Sequence, residues 1–342
     1  MNGYTILRNI FKRKAASSAT ALLVGALSMG GHSVFADGSQ SAPDPDLAKI
    51  YRHETLASNS TEPVGVQLVL ALDTSGSMTE EELAIEFQAT ATALNSEMFR
   101  NVIKYKSGTK SVAIAVVDFN SYAEVRVGWS DIRGAEINDK PYKDCGKEKN
   151  STAIMACLKE SSLKPDKLDA LAQEVATLRR RGRGGTAIDS AMERARKLYL
   201  VCPWAVTERR VLDIFGDGES FGLEEEERDK LAAMGVTING FAIVNENQGL
   251  AEWYSDNVRT VKETEGPDGL YSQPGKVWVV ARDMKESNNS QSTLKSFFGE
   301  VSRGMRQKIS VEVAGIMDYH RMLARLNLKP DFPLPTHNPD PD

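Results

Sequence analysis

The chain has 342 residues, 41% hydrophobic and 26% charged, with a formal net charge of −5. That length is enough to bury a sizeable core. The acidic balance excludes nucleic acid as a bulk partner, because phosphate contacts need a cationic face, and cysteine and histidine are too scarce and wrongly spaced for a structural zinc site.

Residues 1–36 read as a secretory signal peptide. Arg8, Lys12, Arg13 and Lys14 form a basic start, Ala15 to Gly31 is mostly small and apolar, and Val34-Phe35-Ala36 fits a cleavage site. A retained anchor is the rival reading, but Ser17, Ser18 and Thr20 interrupt a run already shorter than the roughly 20 residues a spanning helix needs. Cleavage implies export to the periplasm or beyond, with no stable membrane insertion afterwards. No cysteine follows the site to carry a lipid. Residues 37–63, rich in Ser, Pro and Asp, read as a flexible leader.

The first strand, Val66 to Leu72, is an unbroken apolar run suited to burial on both faces. Thr79-Glu80-Glu81-Glu82 is a capping box opening a helix with Leu83, Phe87 and Leu94 inward. Helical character continues through Phe99 and Val102. Ser111–Phe119 is the next buried strand, and Tyr122–Trp129 returns as a hairpin, giving an antiparallel edge strand. A polar insertion covers about residues 139–166. Pro165–Arg180 reads as a helix, with Leu168, Leu171, Val175 and Leu178 as its stripe, and Ala187–Leu200 as another with Thr186 at its start. Val211–Phe215 is a strand, Glu224–Met234 a charged helix, Val236–Ile243 a strand, Leu250–Val258 a short helix and Lys276–Ala281 the last strand. Ser292–Arg306 closes the domain, set at residues 64–310. A C-terminal extension, 311–342, follows, and its prolines rule out regular structure from about 329. Strands alternating with helices imply an α/β fold with a doubly wound, mostly parallel sheet.

The cysteines follow an exported reading. Cys145 and Cys157 share the insertion, and pairing them would close a short loop worth about 3 kcal/mol in the chain-entropy model, although connectivity is not readable from sequence. Cys202, between Val201 and Pro203, is expected as a buried thiol.

Three polar segments fall where strands or helices begin and end: Asp73-Thr74-Ser75-Gly76-Ser77, Gly184-Gly185-Thr186 and Gly216-Asp217-Gly218. Each alone is ordinary turn and cap chemistry. Together, at the carboxyl ends of strands in an open sheet, they offer two carboxylates and three hydroxyls, the hard oxygen donors a small divalent cation prefers.

That order of motifs resembles the von Willebrand factor A domain, with Leu72–Met78, Gly184-Gly185-Thr186-Ala187-Ile188, Val211–Gly218 and Ile238-Asn239-Gly240 closest to a bacterial secreted branch. The resemblance covers roughly residues 64–310. It implies a Rossmann-like fold and a metal-ion-dependent adhesion site built from Asp73, Ser75, Ser77, Thr186 and Asp217. In the family the hydroxyls touch the metal, the aspartates bind it directly or through water, and a partner's acidic side chain fills an open position. Mg2+ is the implied ion, with Mn2+ or Ca2+ as substitutes. The function it implies is capture of a protein partner. The insertion looks longer than that branch usually carries.

Three features remain. Asp213, between Leu212 and Ile214, is expected to be buried, structural, and hydrogen-bonded by backbone or an arginine. In Arg179-Arg180-Arg181-Gly182-Arg183, Arg181 and Arg183 offer a basic rim for an acidic ligand, against a plain solvated helix end. No Ser-His-Asp set or nucleotide loop is present, so catalytic residues are not assigned. A metal-dependent phosphoester hydrolase and an envelope scaffold stand as the alternatives.

Overall fold

The computed structural model describes residues 61–105, 108–138, 151–160, 166–244, 249–281, 290–315, 319–321 and 323–324. The signal peptide, almost all of the leader, Cys145 and the proline-rich tail lie outside them.

In chain order the strands are β1 (Val64–Asp73), β2 (Ser111–Phe119), β3 (Ala123–Arg133), β4 (Val206–Gly216), β5 (Val236–Val244), β6 (Thr264–Glu265), β7 (Tyr271–Ser272) and β8 (Val277–Ala281). The helices are α1 (Glu80–Leu94), α2 (Glu97–Tyr105), α3 (Ser151–Glu160), α4 (Lys167–Ala176), α5 (Ile188–Leu200), α6 (Glu224–Ala232), α7 (Leu250–Asn257) and α8 (Ser290–Ala314). Six strands form one sheet in the order β3-β2-β1-β4-β5-β8, and β6 pairs with β7 separately. All pairings in the large sheet are parallel except β2 with β3. This is the α/β, mostly parallel sheet with one antiparallel edge strand that the alternation of elements implied.

The strand pleat divides the core in two. Val66, Leu68, Leu70 and Leu72 of β1 point to a layer filled by α1, α2, α4 and α8. Val69 and Ala71 point the other way, into a layer filled by α5, α6 and α7. Every β1 residue is buried, which is why its sequence shows an apolar run and not alternation. The order reverses at β1: its neighbours β2 and β4 stand on either side, so their carboxyl-end loops flank its own.

The capping box at α1 is present. Glu82 N–H donates to Thr79 Oγ1 at 3.2 Å and Thr79 N–H to Glu82 Oε2 at 2.8 Å. A second box opens α4, where Asp166 and Asp169 exchange backbone bonds and both carboxylates hold Arg100 of α2.

Several elements differ from the sequence reading. The helix expected over Pro165–Arg180 ends at Ala176, with Thr177 as its C-cap, and Arg180 beyond it binds loop carbonyls. The insertion carries α3, whose Ile154 and Cys157 are buried in the first layer. The closing helix, expected over Ser292–Arg306, runs from Ser290 to Ala314, eight residues further at its end. Ile309, Val311 and Val313 are buried there, and Tyr319 and Leu323 join the same core. Cys202 is half-buried, not buried, since it lies in the exposed link from α5 to β4. No described helix is long and apolar enough to cross a membrane.

Candidate metal centre

At the carboxyl ends of β1 and β4 the sequence runs out of apolar residues and the backbone turns. Ser75 N–H closes back on Asp73 Oδ1 at 2.8 Å in a tight turn. The Ser75 and Ser77 hydroxyls are 2.8 Å apart, and Ser77 Oγ donates to Asp217 Oδ1 at 2.7 Å. Residues 140 positions apart in the chain are thus joined directly.

The loop carrying Thr186 is tied in by backbone. Gly76 N–H donates to Gly184 O at 2.9 Å, and a methyl group on Gly218 would lie 3.0 Å from Thr186 Oγ1. From the other side, Ala187 N–H donates to Asn120 O at 2.7 Å and Gly185 N–H to Ser121 Oγ at 2.9 Å. Thr186 is not the N-cap of α5. The helix opens one residue later, after Ala187, whose side chain offers no cap, and Ile188 N–H is taken by Ser220 Oγ at 3.3 Å. The Thr186 hydroxyl is therefore not committed to its own helix.

The electrostatics set Asp73 apart. It is completely buried, and Oδ2 has no hydrogen-bond partner among the described residues. Burial, reinforced by the nearby Asp217 charge, pushes its carboxyl up to about 7 despite the Ser75 N–H that pulls it down. Asp217 is also raised by burial, with the Ser77 hydrogen bond opposing. Gly216 is required between them, because a methyl group there would sit 2.8 Å from Asp73 Oδ2 and 2.6 Å from the Tyr254 hydroxyl.

Three participants were not picked out from the sequence. Arg180 reaches the back of the first loop, donating to Ser75 O at 3.1 Å and to Met78 O, with Glu80 Oε1 at 3.1 Å from its Nε. Only 5% of its side chain is exposed, so it braces the loop and is no part of a rim. Glu86 of α1 is buried with neither carboxylate oxygen hydrogen-bonded, and burial plus the Asp73 and Asp217 charges hold it well above the usual range. Tyr254 of α7 is buried beneath Gly216, its hydroxyl raised by burial and by the same carboxylates. Glu86 had a visible signal, three residues after Leu83 on an inward stripe. Arg180 had none beyond its run.

The proposed rim residues differ from each other. Arg181 is ion-paired to Glu124, whereas Arg183 is 75% exposed and 3.8 Å from Glu80. Asp213 is buried as expected but its partners differ: Lys308 of α8 forms the ion pair and Asn239 Nδ2 donates to Oδ1 at 3.0 Å. Backbone donors or an arginine were expected, and Lys308 lies past Arg306, where the closing helix was expected to end.

The donor set fits a hard divalent cation: three hydroxyls and two carboxylates, with the buried Asp73 Oδ2 lacking a hydrogen-bond donor among the described residues. Among the described residues no group of three His, Cys, Asp or Glu side chains forms a cluster suited to a metal ion. Any metal held here therefore relies on hydroxyls as well as carboxylates.

Fold and site together define an α/β domain with an oxygen-donor centre at its topological switch point. The chain belongs to the family described as Protein of unknown function (DUF1194), which matches residues 63–164 and 161–264. No curated protein matches it. Among solved structures it is similar to proximal thread matrix protein 1 from the mussel byssus (14% identity, TM-score 0.38, covering 72% of this chain and 48% of that one). It is similar also to a von Willebrand factor type A protein from Catenulispora acidiphila (16%, TM-score 0.37, covering 71% and 43%). A third is an aerotolerance-related membrane protein from Bacteroides fragilis (14%, TM-score 0.37, covering 70% and 100%). The chain spans less than half the length of the first two.

Proposed function

We propose that the chain is an exported, metal-dependent binding domain that captures a protein partner through a divalent cation, Mg2+ in the first instance. Asp73, Ser75, Ser77, Thr186 and Asp217 would hold the ion, and a carboxylate of the partner would complete its shell. The observation that carries this reading is the direct Ser75–Ser77–Asp217 chain of contacts beside a buried Asp73 oxygen that nothing else satisfies. A bound cation supplies positive charge where two buried carboxylates otherwise repel each other. The protein's part is to hold the donors in place: Arg180 fixes the first loop, Gly184 ties the second to it, and Gly216 keeps the third close.

The flanking segments complete the proposal. Residues 1–36 direct export and are removed, 37–63 form a leader, and Cys145 pairs with Cys157 to restrain the insertion. The test is capture from the native envelope fraction with and without chelator, using the wild type and an Asp73→Ala/Thr186→Ala variant. Proteins retained with Mg2+ should be released by chelator and missing from the variant. Retention unchanged by both treatments refutes the reading.

A further inference from the structure

Phe221 is the most exposed large apolar residue among the described residues, at 94%, and Leu223 beside it is 60% exposed. Both lie in the loop that follows Asp217. This loop is not loose. Ser220 Oγ accepts from Ile188 N–H, Gly222 N–H donates to Glu224 Oε1 at 2.9 Å, and Leu223 N–H donates to Asp189 Oδ2 at 3.3 Å. Gly222 lets the backbone press against the first turn of α5, where an added methyl group would lie 2.4 Å from Asp189 Oδ2, while the Phe221 ring stays exposed.

The loop after β2 presents a second aromatic in the same manner. Tyr122 is 52% exposed, on a turn held by Asn120 N–H to Tyr122 O at 3.0 Å and by Ala123 N–H to Ser190 Oγ at 2.9 Å. Both loops therefore grip residues 188–190 of α5, immediately after Thr186. β2 and β4, the strands that lead into these two loops, stand on either side of β1. Two strand spacings put those strands roughly 10 Å apart, the length of about three extended residues. Arg183, 75% exposed and 3.8 Å from Glu80, lies in the loop that leads to Thr186.

Ordering a large ring in water on a loop with this many hydrogen bonds gains nothing for the folded chain, since exposed apolar surface rimmed by polar groups is the mark of an interaction site. Resting on the metal-site reading, we propose that the occupant is an extended peptide segment of a partner protein. It places a carboxylate at the centre, next to Arg183, and an apolar side chain within three residues on each side, one against Phe221–Leu223 and one against Tyr122. Aromatic anchors supply buried area at small entropic cost, while charge selects the central residue.

The test is panning of a displayed random 12-residue peptide library on the full chain in Mg2+, with bound phage released by chelator. The released pool should be enriched in Asp or Glu with aromatic or aliphatic residues within three positions on both sides. On a Phe221→Ser/Tyr122→Ser variant the acidic enrichment should persist while the flanking apolar enrichment disappears, and a peptide selected on the wild type should bind about tenfold more weakly. Both substitutions are on exposed side chains, and an unchanged melting temperature confirms the fold. A wild-type pool rich in acid alone, or apolar flanks retained on the variant, overturns this inference and leaves the metal site standing. A pool that chelator does not release overturns both.

Discussion

Asp73 and Asp213 are both fully buried carboxylates at the heart of one sheet, yet they are treated differently. Asp213, in the middle of β4, meets a buried lysine from α8 and an amide from β5. Asp73, at the end of β1, accepts from the Ser75 N–H, and burial with the nearby Asp217 charge pushes its carboxyl up to about 7, while both aspartates raise Glu86. A buried charge with a built-in counter-charge is a structural element. One beside a like charge at a loop junction is the arrangement that the proposed cation would compensate.

The largest effect expected is on the compensated side. Lys308→Met leaves Asp213 buried without its cation and should cost about 3–5 kcal/mol in denaturant unfolding. Adding Asp213→Asn should recover most of that loss. If Lys308→Met alone is tolerated, the two carboxylates do not differ in the way described.

On the uncompensated side the sign reverses. Without metal, Asp73 binds its proton more tightly folded than unfolded, so wild-type stability should fall as pH rises from about 4 to 7 and then level off. Asp73→Asn removes that penalty and should stabilise the metal-free protein at pH 8 by about 1–3 kcal/mol. Glu86→Gln should act in the same direction. Saturating Mg2+ at 100 times its dissociation constant should stabilise the wild type by about 2.7 kcal/mol but not Asp73→Asn.

Smaller effects probe the supports. Arg180→Ala frees the carbonyls of Ser75 and Met78 and should weaken Mg2+ binding about tenfold, or 1.4 kcal/mol, with little change in metal-free melting. Thr79→Ala removes the cap of α1 and should cost about 1 kcal/mol of stability, measured by thermal melting.

The contrast also separates what sequence carries from what it hides. The β1 run and the order of Asp73, Ser75, Ser77, Thr186 and Asp217 are local patterns, and periodicity alone places each beside a strand end or a helix start. Asp213 between two apolar neighbours was legible as buried. Its partner was not, because Lys308 looks like any solvated helical lysine until α8 is laid along the sheet. Arg180 was hidden for the same reason: its side chain reaches a loop about a hundred residues earlier. The burial of Tyr319 was hidden too, because α8 runs to Ala314, past the end expected at Arg306.

Calorimetric titration of Mg2+ into the purified chain at pH 8 and pH 6 tests the central claim most directly. One ion should bind at pH 8, with affinity about tenfold weaker at pH 6 as Asp73 takes up its proton, and Asp217→Ala should abolish the heat. No uptake of Mg2+, Mn2+ or Ca2+ at pH 8, or uptake undiminished in Asp217→Ala, would contradict the account.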